Sequence, residues 1–189
     1  MKEELIIASG NKGKIKEAQD ILTDYNIIPM EEYDLQIDVE EDKDTFEGNA
    51  IKKAETIARI LEGRKCIADD TGIEIEYLNG FPGVETKRWM PGNDRERNLQ
   101  ILERLKGVPK EKRNIKFVCS IAVSDGKNTI FSRGELLGKV SKEIRGENGF
   151  GFDEIFELED GRTLAELSKE EKNEISARKK ALEILRKKL

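Results

Sequence analysis

The sequence predicts an α/β protein built on a mixed, twisted sheet flanked by helices. Three observations carry that prediction. An apolar run, Leu5-Ile6-Ile7-Ala8, feeds a Gly- and Lys-rich turn and then a helix-like stretch. Strand-like and helix-like segments go on alternating, the order of βα units. Farther on, two apolar stretches joined around Asp125-Gly126 have the pattern of a β-hairpin. At 189 residues the expectation is a single domain, 1–189, large enough to bury a core and without a separate linker, repeat or low-complexity segment.

The elements follow in order. After the first strand, a helix is predicted over about Lys14 to Thr23, and Ile27 to Met30 and Leu35 to Val39 read as extended. Asp44-Thr45-Phe46-Glu47 supplies a capping pattern for a helix that ends near Leu61. Cys66-Ile67-Ala68 and Ile73 to Tyr77 read as two strands, the second with period-two alternation. Asn79-Gly80-Phe81-Pro82-Gly83 is a turn-rich loop. A helix from Asp94 to Leu105 ends at Lys106-Gly107-Val108-Pro109. Lys116 to Ser124 and Thr129 to Leu137 form the hairpin. Near the C-terminus, Ile175, Leu182, Leu185 and Leu189 fall on one helical face.

Composition removes several classes of function. No apolar run approaches the ~18 residues of a membrane span, and Met1-Lys2-Glu3-Glu4 has no signal-peptide core. Cys66 and Cys119 both lie in apolar runs, as buried thiols do in a reducing, cytoplasmic setting. A net charge of −5 argues against a nucleic-acid binder, so a polyanionic substrate needs a local cluster of cations. Histidine is absent, which excludes Ser-His-Asp and Cys-His catalysis and every imidazole zinc site. Acid–base work falls to carboxylates, lysines or water activated by a metal.

Three constellations carry chemistry. Ser9-Gly10-Asn11-Lys12-Gly13-Lys14 links a strand to a helix N-terminus, where backbone N–H groups and two lysines favour an anion. It is not a Walker loop, and a solvated surface turn would have the same composition. Asp69-Asp70, delivered by an apolar strand and followed by Thr71-Gly72, suits Mg²⁺ ligation in phosphoryl chemistry; the Glu40-Glu41-Asp42 run could supply a second ligand but reads more readily as a solvated loop. Successive strand residues face opposite sides, so one aspartate of the pair faces a given cleft. Gly149-Phe150-Gly151-Phe152-Asp153 alternates glycine with aromatics, which leaves ring faces open to a flat base or marks a tight turn with two core rings.

Taken together, these segments resemble the inosine triphosphate pyrophosphatase family, the house-cleaning dITP/XTP pyrophosphatases. The likeness runs through Ser9 to Lys14, Thr45 to Ala54, Ala68 to Gly72, Leu78 to Val84, Gly149 to Asp153 and Glu170 to Ser176, in family order. It implies an elongated two-lobed fold with an active-site cleft between lobes, Mg²⁺ dependence, a homodimer, and hydrolysis of ITP, dITP or XTP to monophosphate and pyrophosphate. By the same likeness, Ser9, Asn11, Lys14 and Lys53 bind the triphosphate with the amides of the first turn, and Thr71 contacts the substrate. Asp70 becomes the catalytic acid and a metal ligand, Glu41 the other ligand and Asp69 a supporting acid. Phe150 stacks on the purine, while Asp153, Lys172 and Arg178 line its pocket, with Arg178 donating to a 6-keto oxygen. Ala177 stands where most members have His, Glu154 where they have Pro, and Thr86-Lys87 where they have Ser-Ala. These departures bear on base preference rather than on the reaction. A nucleotide hydrolase of other specificity and a non-catalytic nucleotide- or RNA-binding relative are the alternatives.

Overall fold

The computed structural model describes residues 2–33 and 37–189. Among these described residues six strands hydrogen-bond in the order β2-β1-β3-β4-β5-β6. They are β1 (Glu3–Ile7), β2 (Tyr25–Pro29), β3 (Cys66–Ile75), β4 (Asn114–Ser124), β5 (Thr129–Val140) and β6 (Phe156–Glu157). β1 pairs in parallel with both β2 and β3, and β5 pairs antiparallel with β6, so the sheet is mixed as expected. Among the described residues five α-helices accompany it: α1 (Lys12–Ile21), α2 (Phe46–Ile60), α3 (Asp94–Arg104), α4 (Lys169–Ile175) and α5 (Ala177–Arg186).

The chain divides into two compact units. The first comprises Met1–Thr71, Cys119–Gly134 and Ala177–Leu189; the second comprises Gly72–Val118 and Glu135–Ser176. Within the first, Leu5, Ile6 and Ile7 of β1 are buried, as a strand flanked by two parallel neighbours must be. Thr45 caps α2 by accepting the Gly48 amide at 3.0 Å. One α2 face carries Ala50 and Ala54, which cluster with Ala68 of β3 and Ala122 of β4. Four methyl-sized side chains let the helix lie close to the strands, so long side chains from the adjacent row, Asn49 and Lys53, reach β3.

In the second unit Arg113 is 4% exposed and is satisfied by carbonyls alone, donating to Leu105 and Val140 at 2.8 Å and to Ser141 at 2.5 Å. Asn93 and Glu96 form a reciprocal capping box at the start of α3. The hairpin turn itself belongs to the first unit, at Asp125, whose carboxylate accepts the amides of Lys127 and Asn128 at 2.8 and 2.7 Å.

Three expectations are corrected. The two strands foreseen around Asp69-Asp70 are one ten-residue strand, with both aspartates and Thr71-Gly72 in its middle rather than at an end. Polar residues interrupt the apolar pattern there, but each finds a partner, so the ladder need not break. The C-terminal helical face is also divided: Ser176 is extended (ψ 145°) between α4 and α5, Ile175 belongs to the former and Leu189 lies past the end of the latter. The extended segment foreseen from Leu35 begins outside the described residues, and Ile37 to Val39 are not in a strand.

Candidate active site

β1 ends at Ile7 and α1 begins at Lys12. Asn11 is the N-cap, accepting the Gly13 and Lys14 amides at 2.9 and 3.3 Å, and the Ser9 hydroxyl accepts the Asn11 amide at 3.2 Å. Two of the amides expected to cradle an anion are therefore engaged by Asn11. No acidic residue stands in the first turn, which instead holds Lys12 and Lys14. Cations there oppose the helix dipole, a placement that helix formation alone disfavours and an incoming anion would relieve. Gly10 lies in the exposed turn before the cap, and Lys12 is exposed.

Lys14 points the other way. Its Nζ donates to both oxygens of Asp69, at 3.0 and 2.9 Å. Arg178, the second residue of α5, donates to Asp69 at 2.9 Å and to the Thr71 hydroxyl at 3.2 Å, and that hydroxyl in turn donates to Asp69 at 3.1 Å. Gly134 of β5 makes this approach possible, because a Cβ there would run into the carbonyl of Ala177 and the amide of Ala181. Ala177 itself is 6% exposed, beneath that contact. Asp69 is thus the hub of the cations. Burial raises its pKa, but Lys14, Arg178 and Lys53 together outweigh that and hold its carboxyl far below the usual carboxylate range. Burial works against the charge of Arg178, but Asp69 above all, with Glu17, outweighs it and leaves Arg178 more firmly protonated than usual.

Asp70 faces the opposite side of β3 and is 4% exposed. Its two oxygens accept the Asn49 side-chain amide and the Thr71 backbone amide, each at 2.9 Å. Burial pushes its pKa above the ordinary value, and the charge of Glu41 adds to the rise, while Asn49, Lys53 and the Thr71 amide oppose it. Glu41 is held by Lys53 Nζ at 2.6 Å, and the same Nζ reaches the Asp69 carbonyl at 2.5 Å. Neighbouring Asp42 is turned to the surface, paired with Lys52 at 2.9 Å. Glu41 and Asp70 therefore form a partly desolvated pair of like charges. Among the described residues no cluster of three or more Cys, Asp and Glu side chains is placed to cage a metal. Two hard oxygen donors fit a Mg²⁺ that takes its remaining ligands from phosphate oxygens and water, the usual arrangement for that ion.

The second unit holds a separate group. Gly149 adopts φ +84°, and a Cβ there would strike the Asp153 carboxylate, so the turn closes tightly on that acid. Asp153 is 1% exposed; one oxygen accepts the Phe150 amide at 2.8 Å and the Lys172 ammonium. Its other oxygen is buried without a hydrogen-bond partner. Burial raises its pKa, and Lys172 counters. The two rings part company: Phe152 is buried, and Phe150 is 75% exposed with Lys172 Nζ 4.3 Å from its centroid. α3 steadies the turn, since Gly151 donates to Asp94 at 2.8 Å and accepts from Asn98 at 2.9 Å. Asn98 also donates to Glu154 at 3.2 Å, and the buried Thr86 hydroxyl accepts the Ile73 amide at 3.0 Å, so both departures from the resembled pattern serve local packing.

The expected residues thus fall into two groups, with Lys14, Glu41, Lys53, Asp69, Asp70, Thr71 and Arg178 in one and Phe150, Gly151, Asp153 and Lys172 in the other. Arg178 belongs with the acids of the first. Asn49, Asp94 and Asn98 received no role from the sequence; Asn49 lies in the Thr45 to Ala54 segment that carries the family likeness, and an asparagine inside an amphipathic helix is the local signal for Asn98.

Comparison with known proteins agrees along the whole chain. The dITP/XTP pyrophosphatase of Shouchella clausii is 43% identical over 188 residues, covering 97% of this chain and 94% of that protein. Solved structures of the Ham1 protein of Staphylococcus aureus (TM-score 0.91, 38% identity, 98% of this chain and 97% of that one) and of a HAM1 protein from Coxiella burnetii (TM-score 0.90, 37% identity, 98% and 97%) share the fold. The sequence model of the Ham1 family matches residues 5–188, and the chain belongs to that family.

Proposed function

We propose that this protein hydrolyses non-standard purine nucleoside triphosphates (dITP, XTP and ITP) to the monophosphate and pyrophosphate in the cytoplasm, with Mg²⁺ as cofactor and as a homodimer. The observation that carries the reading is Asp70: a buried, hydrogen-bonded carboxylate of raised pKa beside Glu41, in a unit whose Lys14, Lys53 and Arg178 surround the adjacent Asp69. The name of the Shouchella relative, a dITP/XTP pyrophosphatase, agrees with it.

The chemistry follows from these groups. A water oxygen attacks the α-phosphorus, the bond to the bridging oxygen of pyrophosphate breaks, and the water's proton passes to the Asp70 carboxylate. Mg²⁺, when bound, neutralises phosphate charge and steadies the leaving pyrophosphate. Ser9, Asn11, Lys14 and Lys53 receive the phosphates; in the free protein both lysines are kept in place by Asp69 and Glu41. Thr71 fixes the Asp70 carboxylate through its amide. Arg178, bonded to Asp69 and Thr71 in the free protein, is assigned to the purine's 6-keto oxygen, and Phe150, Asp153 and Lys172 complete recognition of the base.

The experiment is pyrophosphate release from ITP, XTP, dITP, GTP and ATP, run side by side with and without Mg²⁺. Release from the first three with little from the last two is expected. Stepwise orthophosphate release, or no release from any, overturns the reading. Phe150→Ala separates stacking from stability. The ring is 75% exposed, so the melting temperature is expected to stay put, while the KM for ITP rises about 5–150-fold, the value of one base stack at 1–3 kcal/mol. An unchanged KM removes Phe150 from the base site.

A further inference from the structure

We infer that Asn49 is a positioning residue for the proposed hydrolysis: one buried side-chain amide sets the direction of the Asp70 carboxylate and ties it to the segment that carries Glu41. The inference rests on the reading of Asp70 and Glu41 given above. Asn49 is 0% exposed, on the α2 face that the alanine cluster holds against β3. Its two polar atoms do different work. Nδ2 donates to Asp70 Oδ2 at 2.9 Å, and Oδ1 accepts the backbone amide of Lys43 at 2.9 Å. An amide alone offers a donor and an acceptor at this spacing, and the Lys43 contact fixes which end turns toward Asp70.

The consequence is geometric. Asp70 has two oxygens, one committed to Asn49 and the other to the Thr71 amide. The carboxylate plane is therefore set from outside the strand. Lys43 lies two residues beyond Glu41 and two before the N-cap Thr45, so the same amide anchors the segment between the second acid and α2. Lys53, one turn farther along the helix, completes the tie by holding Glu41. Two acids that arrive from elements far apart in sequence are thereby held to one helix face by Asn49 and Lys53.

Two variants separate this role from packing. Asn49→Ala removes both contacts, while Asn49→Asp keeps an acceptor for the Lys43 amide and removes the amide donor to Asp70. Both are measured for kcat and KM with ITP and for Mn²⁺ affinity without nucleotide, by loss of the free-ion paramagnetic resonance signal, alongside thermal melting. For Asn49→Ala, kcat and Mn²⁺ affinity are each expected to fall about 10–100-fold, with KM within threefold of wild type. For Asn49→Asp, kcat is expected to fall by a similar factor while Mn²⁺ affinity does not weaken, because a third carboxylate has joined the pair. A folded variant of either kind with wild-type kcat overturns the inference. So does unchanged Mn²⁺ affinity in Asn49→Ala, or failure of both variants to melt cooperatively, which would make Asn49 a determinant of the fold. If the wild-type protein itself turns over no triphosphate, the proposed function fails instead, and the Mn²⁺ titrations still decide the role of Asn49.

Discussion

Asp70→Asn is expected to reduce turnover by about 10²–10⁴-fold while the protein melts within about 4 °C of wild type. The loss follows from chemistry: an amide at this position neither accepts the water's proton nor offers an anionic oxygen to a cation. The small effect on stability comes from two local changes of opposite sign. Asp70 titrates above the ordinary carboxylate value in the folded protein, because it is buried and faces the charge of Glu41. The folded state therefore holds this proton more tightly than the unfolded chain, and ionising the group costs stability as pH rises through the interval above about 3.9. Asn removes that cost. Against it, one of the two N–H groups that now point at carboxylate oxygens, from Asn49 or Thr71, meets an amide NH₂ instead and loses its acceptor, worth about 1 kcal/mol. Differential scanning calorimetry at pH 7 and pyrophosphate release from ITP measure the two halves. Turnover within tenfold of wild type would remove Asp70 from the reaction.

The contrast between what the sequence disclosed and what it withheld has a physical cause. β1, α2 and α3 were legible because their signals are local: an apolar run, the capping pattern at Thr45, and the stop at Lys106-Gly107-Val108-Pro109. The middle of β3 was not. Asp69 to Gly72 looks like a break in an apolar strand until its partners are known, and those partners lie 55, 109 and 21 residues away at Lys14, Arg178 and Asn49. No window along the chain contains them. The division of α4 from α5 depends on a single extended residue, Ser176, which a periodicity cannot see. The turn at Gly149 to Asp153 announced itself, yet which ring projects is decided by Asp153 seizing the Phe150 amide. The identity of the acids was readable; their division of labour was not. Adjacent in sequence, Asp69 and Asp70 face opposite sides of one strand, one wrapped by cations and held far below its ordinary pKa, the other buried beside a like charge and raised above it.

That division gives Asp69 the larger effect on stability. Asp69→Ala is expected to destabilise the protein by about 3–5 kcal/mol, the cost of leaving a buried charge without its counter-ion, which lowers the melting temperature by roughly 6–20 °C at this chain length. The Asp69 side chain is only 10% exposed, and it answers Lys14 and Arg178, at 20% and 18% exposure. Without it, Arg178 keeps Glu17 at 3.6 Å, and its Nε already lacks a hydrogen-bond partner. An exposed pair such as Lys106–Glu103, 3.1 Å apart, is worth at most about 1 kcal/mol by comparison. The pH dependence has a definite sign. Because the folded carboxyl is held below its unfolded value of about 3.9, its stabilisation is complete above that pH and fades as pH falls toward the folded value. The gap in melting temperature between wild type and Asp69→Ala is thus expected to be constant from pH 5 to 8 and to narrow below pH 4. Pyrophosphate supplies a second check. With Asp69 gone, Lys14 and Arg178 have lost the carboxylate that occupies them, so added pyrophosphate is expected to raise the melting temperature of the variant more than that of wild type. A variant that melts within about 3 °C of wild type at pH 7, or a gap that widens in acid, would show that the cations around Asp69 are held by something other than its charge.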